Sequence, residues 1–325
     1  MLELPAIWQA WDRGPILATT IPASGTVHRT LLLRTATGEY ALRAYRYPQN
    51  ERERVEREHA LIAYVQARGI PAVAPIPFAP GETILEHNGR FYALFPYAVG
   101  KQVRRGELTR ELITEMGSFL AMLHSVLRDY PHERVAQRSF TYDSAGTLAK
   151  MDGIEAVIRA QSRLGDVDMR ALARLEQQQA WLRSHPDAVP AVWTAAQCQV
   201  IHGDYQETNL FFEGHTVSAI IDWDQAYIAP RAWEVLRTLH YVCTLEVATC
   251  RAFLDGYRRV LPLSQEDLEE AAAIYGMKHT HDTWLYESLY LKGNRRVEAL
   301  FSTEYAGSGL FVSLWPALRD ALSDQ

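Results

Sequence analysis

The tripeptide His202-Gly203-Asp204, followed by Asn209 and then by Asp222-Trp223-Asp224, constrains this chain more than any other stretch. Val200-Ile201 is a short apolar lead-in, Leu210-Phe211-Phe212 and Val217-Ser218-Ala219-Ile220-Ile221 read as two strands, and Glu213-Gly214-His215 is the turn between them. The pattern predicts a loop over 202–209 that feeds a β-hairpin. Asp204, Asn209 and Asp222 then gather at one end of that ribbon. Such a group meets the main demands of phosphoryl transfer: a carboxylate that orients an attacking hydroxyl, and two oxygen ligands for the magnesium of a nucleotide. Magnesium is a hard cation that prefers oxygen and keeps several waters, so one Asp and one Asn suit it better than a His/Cys cage. Asp and Asn also stabilise loops by turn formation, but the offsets to 209 and 222 favour the catalytic reading.

The N-terminal region provides an independent test, because charge on nucleotide phosphates needs a fixed cation. Thr30–Thr35 and Glu39–Tyr45 read as strands around Thr37-Gly38, with Arg43 on the second. A helix is predicted from about Glu51 to Arg68, stopped by Gly69 and Pro71. Val55, Ile62 and Val65 share one face of it, and Glu58 lies on the same face. A carboxylate within an apolar stripe needs a cationic partner, and Arg43 is the best-placed one. Ser24-Gly25, between two predicted strands, offers backbone amides to a phosphate, although a plain hairpin turn predicts the same dipeptide. Farther on, Glu82–Glu86 and Arg90–Phe95 flank His87-Asn88-Gly89, a hairpin signal, and Phe95-Pro96-Tyr97 ends the last strand.

With these residues in place the chain resembles the aminoglycoside phosphotransferase and choline kinase superfamily, the small-molecule relatives of the protein kinases. His-Gly-Asp, four residues and Asn over 202–209, then Ile-Asp-Trp-Asp over 221–224, are similar to that family's catalytic loop and metal-binding segment. The resemblance implies a bilobal α+β fold, with an antiparallel-sheet N-lobe carrying one helix (residues 1–97) and a mainly helical C-lobe (98–325). It implies that Asp204 is the catalytic base and that Asn209 and Asp222 bind Mg2+, with Asp224 as a further candidate for the metal shell. ATP or GTP would be the phosphoryl donor, with Phe95 and Tyr97 at the interlobe connection beside the base. Gly203 stands where regulated protein kinases carry an arginine that grips an activation-loop phosphate, so control of that kind is not expected. One departure stands out: relatives mostly carry lysine at the strand position of Arg43, and this chain has no lysine before Lys101. Arginine binds phosphate bidentately but is bulkier, so the exchange is not conservative. A nucleotide-binding regulatory module with little turnover is therefore the alternative reading.

The remainder is consistent with a globular enzyme. At 325 residues, 48% hydrophobic and 22% charged, the chain can bury a core large enough for two lobes. A net charge of −6 argues against a nucleic-acid partner, which usually selects a basic face. Cys198, Cys243 and Cys250 have neither zinc spacing nor an even count for a disulfide framework, so buried, reduced thiols are expected. No leader-like start and no apolar membrane span is visible, and cytoplasmic location is the default expectation.

Past Tyr97 the chain turns helical. Leu112, Met116, Phe119, Leu120, Leu123 and Leu127 repeat at helical spacing after Thr109, a predicted N-cap, and His124 on that helix reads as structural. Residues 129–149 read as a polar loop, with helices resuming near Ile154–Gln161 and Met169–Ser184. Further helices are predicted over Glu246–Val260 and Gln265–Tyr275, the latter capped by Ser264 and Asp267. His279, His281, Asp282, Trp284, Tyr286, Glu287 and Tyr290 form an aromatic and polar cluster on a predicted helix, in a region where relatives complete their acceptor pockets. Such a cluster suits an amine-bearing hydroxyl acceptor such as an aminoglycoside, choline or homoserine. The composition is silent on oligomeric state.

Overall fold

The computed structural model describes residues 4–22, 28–135, 142–186, 193–194, 197–301 and 309–323. Ser24 and Gly25 lie outside the described residues. The architecture is α+β, an antiparallel five-stranded sheet followed by a mainly helical C-terminal part. Packing divides the chain into two compact units.

The first unit comprises Met1–Leu108, Leu123–Ala136 and His202–Tyr227. Its sheet contains β1 (Ile16–Thr20), β2 (Arg29–Thr35), β3 (Glu39–Ala44), β4 (Leu85–His87) and β5 (Arg90–Pro96), in the order β1-β2-β3-β5-β4. Both turn residues of the β4–β5 hairpin have positive φ, 49° at Asn88 and 71° at Gly89, which is why Asn-Gly suits a two-residue connection. β4 is shorter than the predicted Glu82–Glu86. Glu82 is drawn into a tight turn at Gly81 (φ 79°), where its N–H donates to Ala79 O (2.9 Å) and its carbonyl accepts from Phe78 N–H (3.0 Å).

A short helix, α1 (Leu4–Gln9), adds Ile7 and Trp8 to an apolar cluster with Leu33, Tyr40, Leu42, Tyr92 and Leu94. Each such side chain stabilises by about 1.5–3 kcal/mol when fully buried. The helix α2 (Arg52–Gln66) buries Val55, Ile62 and Val65 as its spacing predicts, and Glu58 with them. It ends where Gly69 takes φ 87° and Ile70 N–H returns to Val65 O at 3.1 Å. The same unit holds the hairpin β7 (Leu210–Glu213) and β8 (Thr216–Ile220). Ile220 ties it to the segment after α2: its N–H donates to Pro71 O (3.0 Å) and its carbonyl accepts from Val73 N–H (3.2 Å).

The second unit comprises Thr109–Met122, Gln137–Ile201 and Ile228–Gln325. The helix α3 (Arg110–Leu127) starts at the predicted cap, where Thr109 Oγ1 accepts from Leu112 N–H at 3.4 Å. His124 on it is fully buried. Next come α4 (Ser144–Arg159), α5 (Asp166–Ser184), β6 (Cys198–Ile201), which pairs with β9 (Tyr227–Pro230), α6 (Arg231–Tyr241), α7 (Val247–Val260) and α8 (Gln265–His281). α3 and α7 cross at Gly117 and Gly256. A Cβ on Gly117 would lie 2.0 Å from Phe253 O, and one on Gly256 2.0 Å from Thr114 O, so only glycine allows that backbone approach.

α4 begins ten residues before the predicted resumption at Ile154. Asp143, which reads as a turn residue, is its N-cap and accepts from Gly146 N–H at 2.9 Å. α8 carries the predicted capping box: Ser264 Oγ accepts from Asp267 N–H, and Asp267 accepts from Ser264 N–H, both at 3.0 Å. Cys243 and Cys250 are buried, Cys198 is half-buried, and all three are free thiols. Among the described residues no helix is long and apolar enough to cross a membrane.

Candidate active site

The loop 202–209 is organised by hydrogen bonds among its own side chains and backbone. His202 is fully buried; its Nε2 contacts Ile221 O at 3.1 Å, and its Nδ1 lies 3.3 Å from Asp204 N–H. A carbonyl needs a donor, so Nε2 carries a proton in this arrangement. Gly203 follows with φ 81°, and a Cβ there would lie 2.1 Å from Gln225 O. Only glycine passes at this point. Asp204 is half-buried, and its Oδ2 accepts from Gln206 Nε2 and Asn209 Nδ2, each at 3.0 Å. Asn209 Nδ2 also donates to Asp204 O at 2.8 Å, so the carboxamide oxygen is the atom it can offer to a cation.

Asp222 reaches the same neighbourhood by strain. Asn209 O accepts from Ile221 N–H at 3.0 Å, and the next residue, Asp222, adopts φ 71° and ψ 62°, a left-handed conformation uncommon for a residue with a Cβ. Trp223 is buried beside it and packs on His202 with ring centroids 4.7 Å apart. Asp222 Oδ1 meets Arg43 Nη2 at 3.2 Å, and Arg43 Nη1 meets Glu58 Oε1 at 2.9 Å. The pairing of Arg43 with Glu58 expected from the sequence is thus present, and the fork of the guanidinium spans two carboxylates at once. Arg43 also lies 5.5 Å from the centre of the Phe95 ring.

Charge is concentrated here. Burial works against ionised Arg43, but Glu58, Asp222 and Asp224 outweigh it and hold the guanidinium firmly cationic. Burial pushes Glu58 up to about 7 even with Arg43 alongside. Burial raises Asp222 as well; Arg43 opposes the rise, while Asp224 and Asp204 add to it. Asp222 feels the repulsion of both Asp224 and Asp204, which a divalent cation would relieve, and Asn209 adds a carboxamide beside Asp204. These residues therefore fit magnesium. Among the described residues no three His, Cys, Asp or Glu side chains form a metal cage, and a magnesium ion that keeps its waters needs none.

Asp224 is held differently. Its side chain is buried, and Oδ2 accepts from Gln225 Nε2 (3.0 Å) and Tyr47 Oη (3.2 Å) and lies 3.3 Å from His28 Nε2. Burial disfavours its charge, but His28 and Gln225 overcome that and bring it down to about 2. His28 and Tyr47 carry no signal in the sequence, because they lie 196 and 177 residues from the carboxylate they support. Tyr97 stands apart: it is exposed, its N–H donates to Glu39 O at 3.0 Å, and its side chain makes no contact with this cluster among the described residues.

The aromatic and polar cluster near the C-terminus is not on one helix. α8 ends at His281, and a short turn at Trp284–Tyr286 leads into a π-helical stretch, Glu287–Leu291. Its polar groups are largely spent on one another. Gln178 Nε2 donates to the carbonyls of His279, Thr280 and Asp282, each at 3.2 Å, and Gln178 Oε1 accepts from Tyr286 Oη at 2.7 Å. Lys278 pairs with Asp282 at 2.5 Å, and Glu287 with Lys150 at 3.0 Å.

Known proteins resemble the chain throughout its length. A family profile described as "Phosphotransferase enzyme family" matches residues 19–273. A homoserine kinase of Rhodopseudomonas palustris (strain BisB18) is 28% identical over 98% of this chain and 94% of its own. Among solved structures, a spectinomycin phosphotransferase in complex with ADP and spectinomycin superposes with a TM-score of 0.72 at 11% identity, covering 98% of each chain. An amicoumacin kinase in complex with AMP-PNP, Ca2+ and amicoumacin gives a TM-score of 0.62 at 14% identity, covering 97% of each. The fold is accordingly that of the small-molecule, protein kinase-like phosphotransferases.

Proposed function

Since the chain belongs to the phosphotransferase enzyme family, we propose that it moves the γ-phosphoryl group of ATP or GTP to a hydroxyl of a small amine-bearing molecule, homoserine being the favoured acceptor. The choice of acceptor rests on the homoserine kinases that match it along most of its length. The aminoglycoside-class structures share the fold at 11–14% identity, too distant to direct that choice.

Asp204 carries the reading. Its Oδ2 accepts from Gln206 and Asn209, which hold the carboxylate on the loop where an acceptor hydroxyl would be met. As the acceptor oxygen bonds to the γ-phosphorus and the bond from phosphorus to the β–γ bridging oxygen breaks, the hydroxyl proton passes to the Asp204 carboxylate and the nucleoside diphosphate departs. Asn209 and Asp222, with Asp224 as a further candidate, would hold magnesium. The bound ion would neutralise charge on the phosphates. Arg43, steadied by Glu58, would lie against the phosphates; the sequence assigns phosphate contacts also to Ser24 and Gly25, outside the described residues, and Phe95 and Tyr97 would lie near the base. Residues 1–97 serve the nucleotide and 98–325 carry the catalytic loop and the acceptor. A cytoplasmic setting supplies both substrates.

The test is nucleoside diphosphate release that requires both homoserine and magnesium. Asp204→Asn is expected to lower kcat by about 10²–10⁴-fold while nucleotide affinity, measured by calorimetry, persists. Full turnover in that variant would remove Asp204 from its role. Arg43 in the place of lysine supports a second reading, a nucleotide-binding regulatory module; tight nucleotide binding with neither transfer nor slow hydrolysis across an acceptor panel would favour it.

A further inference from the structure

The segment that leaves β5 runs along the catalytic loop and its hairpin and is fastened to them at four successive points. Val99 O accepts from Ser218 Oγ at 2.7 Å. Lys101 and Phe212 exchange both backbone hydrogen bonds, at 3.0 and 2.9 Å. Gln102 Nε2 donates to Thr208 O. Arg105 then places Nε at 3.1 Å and Nη2 at 3.0 Å from Glu207 Oε1. The approach is close enough to require Gly100, which has φ 97° and where a Cβ would lie 2.3 Å from Ser218 Oγ and 2.7 Å from Phe212 O.

Glu207 lies between the proposed base and the proposed metal ligand. It opens the 3-10 turn Glu207–Asn209, its carbonyl accepts from Leu210 N–H, and its side chain is 2% exposed. A carboxylate this deeply buried is held in place by its cation, and releasing it would release the turn. The turn sets Asn209, whose amide holds Asp204 at 2.8 and 3.0 Å. A shift of about an ångström at such a point is enough to cost roughly 10²-fold in rate.

We propose that Arg105 and Glu207 are positioning residues for phosphoryl transfer: the pair latches the 99–105 segment onto the catalytic loop and thereby sets the spacing of Asp204 and Asn209. The inference rests on the reading of those two residues as base and metal ligand. Arg105 and Glu207 touch neither the nucleotide nor the acceptor; they act through the 3-10 turn.

The experiment compares the full-length wild type with Arg105→Ala, Arg105→Lys and the paired replacement Arg105→Met/Glu207→Leu, which removes the ion pair without stranding a buried charge. Expected are a kcat at least tenfold lower in Arg105→Ala and in the paired variant, nucleotide KM within about twofold of wild type, and recovery of most of the rate in Arg105→Lys. Hydrogen exchange at the Asn209 and Leu210 amides provides a readout independent of turnover. It is expected to quicken at least tenfold in the paired variant relative to α2 amides in the same sample. Unchanged kcat and unchanged exchange in a paired variant that melts cooperatively would overturn the latch. Absence of transfer by the wild type itself would strike at the proposed function instead, and the exchange measurement would then decide the latch alone.

Discussion

The loop and hairpin over 202–224 and the segment 278–291 are both rich in polar side chains, yet they treat them in opposite ways. Near the C-terminus polar groups pair off: Gln178 answers three carbonyls and the Tyr286 hydroxyl, and Lys278 answers Asp282. Around Asp204 the opposite holds. Carboxylates crowd until burial and mutual repulsion raise Asp222, and Asp222 takes a left-handed backbone to join them. Satisfied polar groups build structure, whereas strained and repelling ones are tolerated where a ligand relieves them. Residue type alone does not separate the two regions; repulsion between carboxylates and backbone strain do.

The largest effect that would sharpen this contrast is at Gly203. Gly203→Ala adds a Cβ 2.1 Å from Gln225 O at φ 81°, and a loss of about 2–4 kcal/mol in urea-unfolding stability is expected, with kcat falling further than the unfolded fraction explains. A variant that kept both stability and rate would show that the loop yields freely, and the contrast would fail. Next comes Gln178→Leu. It leaves three carbonyls and a buried hydroxyl without their partner, so a stability loss of about 2–3 kcal/mol is expected. Turnover per folded molecule should stay within twofold, and a collapse of kcat at unchanged stability would move the C-terminal cluster into the reacting site.

The effect that is smallest for each step of the measurement is in acid, where the loss builds up with every pH unit. Burial and, second, Arg43 bring His59 down to about 3, and burial with Arg174, Lys278 and Arg237 brings His240 to about 3. The unfolded chain takes up protons near pH 6.5 that the folded chain refuses. Stability is therefore intact above about pH 6.5 and falls as pH drops toward 3, by about 1.4 kcal/mol per pH unit for each histidine. Urea titrations between pH 7 and 4 should show this slope, and His59→Gln or His240→Gln should each lessen it. A slope unchanged from wild type in both variants would mean that neither ring is held neutral by the fold.

Much of this was readable beforehand. β2, β3, α2 and the β7–β8 hairpin follow from alternation and helical spacing, because each is a local pattern with a local stop signal. The pairing of Glu58 with Arg43 was legible for a different reason: a charge on an apolar face demands a partner, and Arg43 on the preceding predicted strand was the best-placed cation. The start of α4 was missed because Asp143 and Gly146 serve equally well in a turn or a cap, and only the fold decides between them. His28, Tyr47, Arg105 and Gln178 were missed because each acts on a partner about 100 to 200 residues away, and no local period records such a contact. Ser24 and Gly25 lie outside the described residues, and their part in phosphate binding stays with the proposal.

The conformation at Asp222 carries an evolutionary consequence. A glycine there would shed the torsional penalty and one member of the repelling carboxylate group, so the folded protein would become more heat-tolerant as it lost the proposed metal ligand. If Asp222 holds the metal as proposed, selection for robustness alone would erode this position first, and selection for turnover would keep it.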